Sequence, residues 1–204
     1  HILGLAGLLS TLTRWEAIEH VEIWAGRSAL DRIRNLIFGV VFRGERSQFQ
    51  IELRELEPGP ILVEESFELE AFPVNHRGGQ CFGFIFQEPA RRPFLDEKAS
   101  ELGVPHGPER RELVRGFSIK LPGGQIINPD DVLGSTIPGT KLVHVGDAGT
   151  TDDLLEYCNN ADALVIEATY LDSDNILAER FGHLTARQAA ELARDANVSS
   201  LYLT

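Results

Sequence analysis

Four polar residues of this sequence stand where loops build reactive sites, at the end of an apolar strand pattern or at the mouth of a helix. His76 follows Phe72-Pro73-Val74 and precedes Arg77-Gly78-Gly79, and Asp147 follows Leu142-Val143-His144-Val145-Gly146. Glu167 follows Ala163-Leu164-Val165-Ile166, and His183 lies two residues before Thr185, in Phe181-Gly182-His183. A carboxylate leaving a buried strand beside glycine is badly placed for a surface salt bridge and well placed to ligate a metal. Each residue also has a plainer reading. A strand-end Asp commonly forms a turn, and a lone His is more often a hydrogen-bonded loop residue. Such ligands converge in space rather than in sequence, so spacing does not separate the readings. The residues alone reach a candidate di-metal hydrolase and no further.

The elements that must carry them follow from periodicity. Leu5, Leu8, Leu9 and Leu12 repeat at helical spacing, and Val21-Glu22-Ile23-Trp24 alternates like a half-buried strand. Ser28 is expected to cap a helix with apolar positions Leu30, Ile33, Leu36 and Ile37. From Phe49 the period becomes two, through Ile51 and Leu53, then Phe67, Leu69 and Ala71, then Cys81 to Phe86, which predicts an antiparallel β-rich first half. Residues 89–140 hold seven of the ten prolines and have weak periodicity, the mark of disorder or of a functional excursion from the core. Beyond them the chain alternates strand and helix. Strands are predicted at Leu142–Val145, Ala163–Ile166 and from Leu201, with a short helix over Asp152–Tyr157. A second helix opens on the capping box Thr185-Ala186-Arg187-Gln188 and presents Ala186, Ala189, Ala190 and Ala193 as a small-residue face. The class is α/β, with sheets sandwiched between helices.

At 204 residues, 43% hydrophobic and 25% charged, the chain suits one compact domain, and no stretch approaches the roughly 20 apolar residues that span a bilayer. The first residues lack the marks of a secretory signal. Cys81 and Cys158 fall in unrelated contexts, which favours free thiols in a reducing cytoplasm over a disulfide. The net charge of −12 argues against general affinity for nucleic acid. Its distribution is uneven: residues 1–88 carry 8 basic and 13 acidic side chains, residues 121–204 carry 4 and 13, and residues 89–120 carry 7 and 5. A polyanion would be repelled least at that middle segment, although charge alone favours an ordinary solvated surface loop. With no methionine and a first residue of histidine, the sequence is expected to be a fragment.

The joint pattern resembles ribonuclease Z, of the metallo-β-lactamase superfamily. His1-Ile2-Leu3-Gly4-Leu5-Ala6-Gly7-Leu8-Leu9 looks like the tail of the His-x-His-x-Asp-His signature and the helix after it. Val74-Asn75-His76 with Phe82-Gly83-Phe84, and Val145-Gly146-Asp147, are similar to the next metal-binding segments. Ile166-Glu167-Ala168-Thr169-Tyr170 and Gly182-His183-Leu184-Thr185 resemble the His-Glu-Ala-Thr and His-Ser-Thr loops. Gly103 to Pro108, Leu113-Val114-Arg115-Gly116, Leu121-Pro122-Gly123-Gly124 and Val132-Leu133-Gly134 resemble the protruding arm of that family. Ile166, Leu184 and Ala148 depart from the usual His, Ser and Thr, but only as neighbours of the functional residues.

The resemblance implies a metallo-β-lactamase αββα sandwich over residues 1–204, truncated at both ends, with an inserted exosite arm at 89–134. It implies an endoribonuclease that removes the 3′ trailer from precursor tRNA and leaves a tRNA 3′-hydroxyl. His1, His76 and Asp147 would ligate two zinc ions, with Asp147 bridging, and His183 oriented by Glu167 would serve the leaving oxygen. Arg91, Arg92, Arg110, Arg111, Arg115 and Lys120 would contact tRNA phosphates in a cytoplasmic homodimer with no membrane part. A His-x-His-x-Asp directly before His1 and a His directly after Thr204 are expected, and without them the chain as given should be inactive. Two other readings compete. A small-molecule hydrolase of the same fold (phosphodiesterase, lactonase or arylsulfatase) would share His76 and Asp147 without needing a basic arm. A non-catalytic binding module would need none of the four residues.

Overall fold

The structure is a computed structural model that describes residues 2–12, 18–42, 49–77 and 79–204. The chain divides into two compact units, residues 1–86 with 141–204, and residues 87–140.

The first unit opens with helix α1 (Leu3–Leu12), strand β1 (His20–Ala25), helix α2 (Arg27–Arg34) and strand β2 (Gln50–Glu55). Helix α2 runs on into a π-helical stretch, Asn35–Val41. Ile33 and Ile37, four residues apart, fall on one helical face and meet Leu9, Phe42 and Phe49 in a core that also takes Val21, Ile23, Ile51 and Leu53 from the strands. The pairing differs from the expectation. β1 and β2 are parallel, with His20 opposite Gln50 and Trp24 opposite Arg54. Alternation looks the same in either orientation; the intervening helix supplies the crossover that a parallel pair requires. Ser28 is not the cap either. Gly26 holds that position with φ −58° and ψ 149°, and the Ser28 N–H donates to Gln80 Oε1 at 3.0 Å. The free donor at the helix start is thus satisfied from a distant loop rather than locally.

Strands β3 (Gly59–Val63), β4 (Glu68–Val74) and β5 (Cys81–Gln87) enter a six-stranded sheet. Its other members are β8 (Lys141–Val145), β9 (Ala163–Ile166) and β10 (Leu201–Leu203), and the order is β10-β9-β8-β5-β4-β3. β3 and β4 are antiparallel, as alternation suggested, and β8, β9 and β10 are parallel. Two helices, α6 (Leu155–Cys158) and α8 (Ala186–Asp195), pack on this sheet. The Thr185 capping box forms as predicted, with Gln188 N–H on Thr185 Oγ1 and Thr185 N–H on Gln188 Oε1. The face it buries is Ala189, Leu192, Ala193 and Ala196; Ala190 points outward. Phe72 fills the centre of this core. Gly83 makes room for it, since a Cβ there would lie 2.3 Å from Phe72 Cζ, and the Tyr157 ring stacks on it at 4.3 Å.

Both cysteines are free thiols. Cys158 is fully buried, and desolvation pushes its thiol up to about 11. Native protein at pH 8 should therefore leave Cys158 unmodified by iodoacetamide, because only thiolate reacts. Mass spectrometry of labelled peptides checks this: denatured protein should label at both cysteines, and rapid native labelling of Cys158 would contradict its burial.

Residues 87–140, expected to be disordered or a functional excursion, form a unit with its own core. Helices α3 (Asp96–Glu101), α4 (Pro108–Val114) and α5 (Pro129–Val132) and the hairpin of β6 (Ile119–Lys120) and β7 (Ile126–Ile127) enclose Ala99, Val104, Leu113, Ile127 and Val132. Bridges Arg91–Ile137 and Phe94–Leu133 make a two-stranded stem. Prolines that weaken periodicity here start helices instead: Pro108 and Pro129 both occupy first-turn positions, where a missing N–H costs nothing. No helix among the described residues is long and apolar enough to cross a membrane.

Candidate active site

β8 and β9 lie side by side with Val145 opposite Ile166, so the residues that follow them emerge together. Asp147 comes two residues beyond the end of β8, and Glu167 one residue beyond the end of β9. This is the carboxyl edge of parallel strands, where open α/β sheets place their ligands. Helix α7 (Asn175–Phe181) ends on Gly182 in the left-handed conformation, φ +62°, and turns the chain back so that His183 faces Glu167. The oxygens and ring nitrogens of Asp147, Glu167 and His183 lie within 4.8 Å of one another.

Glu167 is the anchor. Its side chain is only 4% exposed, yet it accepts three hydrogen bonds. His183 Nδ1–H donates to Oε1 at 2.9 Å, the Ala148 N–H donates to the same oxygen at 2.7 Å, and the Thr169 hydroxyl donates to Oε2 at 2.5 Å. Hydrogen bonds to a charged group contribute about 1.5–3 kcal/mol each, which offsets the burial of a carboxylate that would otherwise be prohibitive. Through its two engaged oxygens Glu167 ties the His183 ring, Thr169 and the loop that carries Asp147 to one another.

His76 joins from the end of β4. Its Nδ1 bonds the Gly182 carbonyl at 2.8 Å, and its ring lies 5.1 Å from that of His183. A carbonyl only accepts, so the proton sits on Nδ1 and the Nε2 lone pair is left for a metal, the usual arrangement behind a ligating imidazole. His76 and Asp147 line one cavity of about 570 Å³ with Arg32, Arg77 and Cys81, whereas His183 lines a neighbouring one of about 350 Å³. Asp147 and desolvation together push the Cys81 thiol up, desolvation being the larger cause. A larger cavity, about 870 Å³, is lined by Asp152, Asp153, Glu156 and Asp195 and holds none of the four residues.

All four residues singled out at strand ends or at a helix mouth therefore sit in one neighbourhood, and His1 lies outside the described residues. Sequence reasoning gave no role to Thr169, to the Ala148 N–H or to the Gly182 carbonyl, which hold the site together. Backbone donors carry no residue signature. Thr169 could have been found as a hydroxyl two residues from a buried acid. A second group with ligand-like spacing, exposed His20 and Glu22 with half-buried Glu52, lies on the β1–β2 pair. There Arg54 reaches Glu22 at 2.8 Å and Glu52 at 3.0 Å and holds Glu52 below the ordinary carboxylate range, so the set reads as an ion network.

The six arm residues divide. Arg92 spends its guanidinium on Gly134 O, Leu133 O and Asp130, and Arg110 on Pro105 O, Val104 O, Ser100 and Asp96. Both hold their own unit together, and Arg110 is only 12% exposed. Arg91, Arg111, Arg115 and Lys120 are exposed.

Residues 108–204 match a family model described as a β-lactamase superfamily domain. Over 204 residues the chain is 42% identical to a ribonuclease Z of Bradyrhizobium diazoefficiens, covering 100% of this chain and 67% of that protein. It is 35% identical over 205 residues to a ribonuclease Z of Archaeoglobus fulgidus, covering 100% of this chain and 65% of that one. The crystal structure of human tRNase Z, short form, superposes with a TM-score of 0.62 at 21% identity, over 100% of this chain and 67% of that chain, a likeness of fold. The chain thus spans about two thirds of the length of these relatives. Its fold is that of the metallo-β-lactamases, and by its relatives the chain belongs to the ribonuclease Z family.

Proposed function

We propose that this protein is a metal-dependent endoribonuclease that removes the 3′ trailer from precursor tRNA and leaves a 3′-hydroxyl. The observation that carries the reading is the gathering of Asp147, Glu167 and His183 within 4.8 Å, with the tilted His76 ring 5.1 Å from that of His183, in a chain of this family. The donor set fits a borderline metal such as zinc: one imidazole with its lone pair free on Nε2 and one carboxylate, on a common cavity. His76 and Asp147 would hold it, with His1 assigned by resemblance; two ions in the intact protein are part of the proposal. When bound, such ions polarise the phosphodiester and make water a nucleophile at neutral pH.

The remaining steps belong to the chain. Glu167 fixes the His183 ring through Nδ1, which turns Nε2 toward substrate. In its imidazolium form His183 delivers the Nε2 proton to the 3′-oxygen as the phosphorus–oxygen bond breaks, and the trailer departs with the phosphate. Asn175, Glu179 and Gln188 line the pocket beside that ring.

Arg91, Arg111, Arg115 and Lys120 are the proposed phosphate-binding residues. Replacing Arg111 or Arg115 by Ala should weaken precursor binding and lower the slope of log K against log salt by about one for each phosphate left without its cation. Arg110→Ala should instead lower thermal stability, since its bonds to four groups of its own unit are lost. Filter binding across a salt series separates these effects, and an unchanged slope in both exposed-arginine variants would reject their phosphate role. A cytoplasmic setting is supported by two free thiols, and a homodimer by family likeness. Light scattering of the intact protein checks the dimer. The activity itself is tested with precursor tRNA and a chromogenic phosphodiester after deletion of residues 93–130: cleavage of tRNA should fall far more, and an equal fall in both would favour a small-molecule hydrolase.

A further inference from the structure

The loop after β4 grips two successive carbonyls of the loop that carries His183. His76 Nδ1–H donates to Gly182 O at 2.8 Å, and the next residue, Arg77, donates from Nε to Phe181 O. The Arg77 guanidinium also lies over the Phe181 ring, 5.3 Å from its centroid. Its stem runs past Gly182 so closely that a Cβ there would lie 3.2 Å from Arg77 Cγ. On its other side the same loop holds the Asp147 segment, since Gly149 N–H donates to Asn75 O at 2.6 Å. Three loops from distant parts of the sequence therefore meet at residues 75–77.

We propose that Arg77 is a positioning residue: it locks Phe181 and Gly182 against the His76 loop and so sets the angle at which His183 meets the scissile phosphate. The proposal rests on the reading of His183 as proton donor. Directionality supports it over a simple charge effect. An Nε–H directed at the Phe181 carbonyl while the planar guanidinium lies over the ring of the same residue is a combination that a lysine ammonium does not reproduce. A direct role in binding phosphate is the rival, because Arg77 lines the same cavity as His76 and Asp147. For that role charge alone would largely suffice.

Arg77→Ala and Arg77→Lys in the intact protein distinguish the two. If Arg77 positions, both variants lower kcat by about 10–100-fold with KM and bound metal unchanged, since a misplacement near 1 Å costs on the order of 10²-fold. Arg77→Ala then adds less than about twofold to His183→Ala, because residues acting as a unit are not additive. In metal-free protein, amide exchange at Gly182 and His183 should be at least about tenfold faster in Arg77→Ala, as their bonds to Glu179 O and Ala178 O open more often. Should Arg77→Ala not fold, Arg77→Lys carries the kinetic test and the exchange measurement. Wild-type kcat in Arg77→Lys, or full additivity with His183→Ala, overturns the positioning role. Unchanged exchange at Gly182 and His183 overturns the coupling itself, whereas an unaffected kcat in His183→Ala overturns the proton-donor reading on which it rests.

Discussion

His183→Ala in the intact protein is expected to lower kcat on precursor tRNA by about 10²–10⁴-fold, the range for removal of a general acid, while metal content stays the same. The retention of metal follows from the geometry. His183 turns its Nδ1 to Glu167, and His76 and Asp147, which line the adjoining cavity, are left in place. Glu167→Gln should cost nearly as much. A single amide oxygen would have to serve both the His183 ring and the Ala148 N–H, and the amide nitrogen would face the Thr169 hydroxyl that now donates to Oε2. Without a carboxylate behind it, the ring is free to take the wrong tautomer. Single-turnover kinetics with metal analysis provide the check. Metal that falls in step with activity in His183→Ala would make His183 a ligand, and an unimpaired Glu167→Gln would remove its role as orienter.

The largest effect on stability is expected from Phe72→Ala. Phe72 is wholly buried among strands, flanked by the stacked Tyr157 ring, and its slot exists because Gly83 has no side chain. Truncating a buried Phe costs about 3–5 kcal/mol, transfer and cavity together. For a domain of this size that corresponds to a fall in Tm of roughly 6–20 °C. Gly83→Ala attacks the same slot from the other side, adding a methyl where the ring already stands, and should cost about 1–3 kcal/mol by overpacking. The pair should interact: with Phe72→Ala already present, the Gly83 methyl enters vacated space and its cost should shrink. Thermal denaturation of the two single variants and the double one measures this. Additive losses of stability would mean that the two residues do not share a slot.

How far the sequence revealed this differs by the reach of the forces involved. The Thr185 cap, β9 and the helices α1 and α8 were legible because each is specified by neighbours a few residues away. So was the placement of Asp147 and Glu167, since a polar residue at the end of a buried strand has few other positions to take. The parallel pairing of β1 with β2 was not legible, because alternation carries no direction. Nor was the start of α2, whose donor is satisfied by Gln80 from more than fifty positions away. Charge counting marked the basic segment but could not tell an exposed Arg111 from Arg110, which four partners of its own unit consume. Similarly, the compact core of residues 87–140 is built by packing short helices on a two-residue-strand hairpin, each too brief to show a period.

The stem of that inserted unit has an evolutionary corollary. Glu88 donates from its backbone to Thr140 O at 2.9 Å, and Gly139 sits so near Glu88 that a methyl there would fall 1.9 Å from the Glu88 carbonyl oxygen. Entry and exit thus lie at one point, and closing so short a gap costs little chain entropy. A polypeptide organised in this way can gain or shed the segment as a cassette in one genetic event, because the strands on either side need only a tight turn to rejoin.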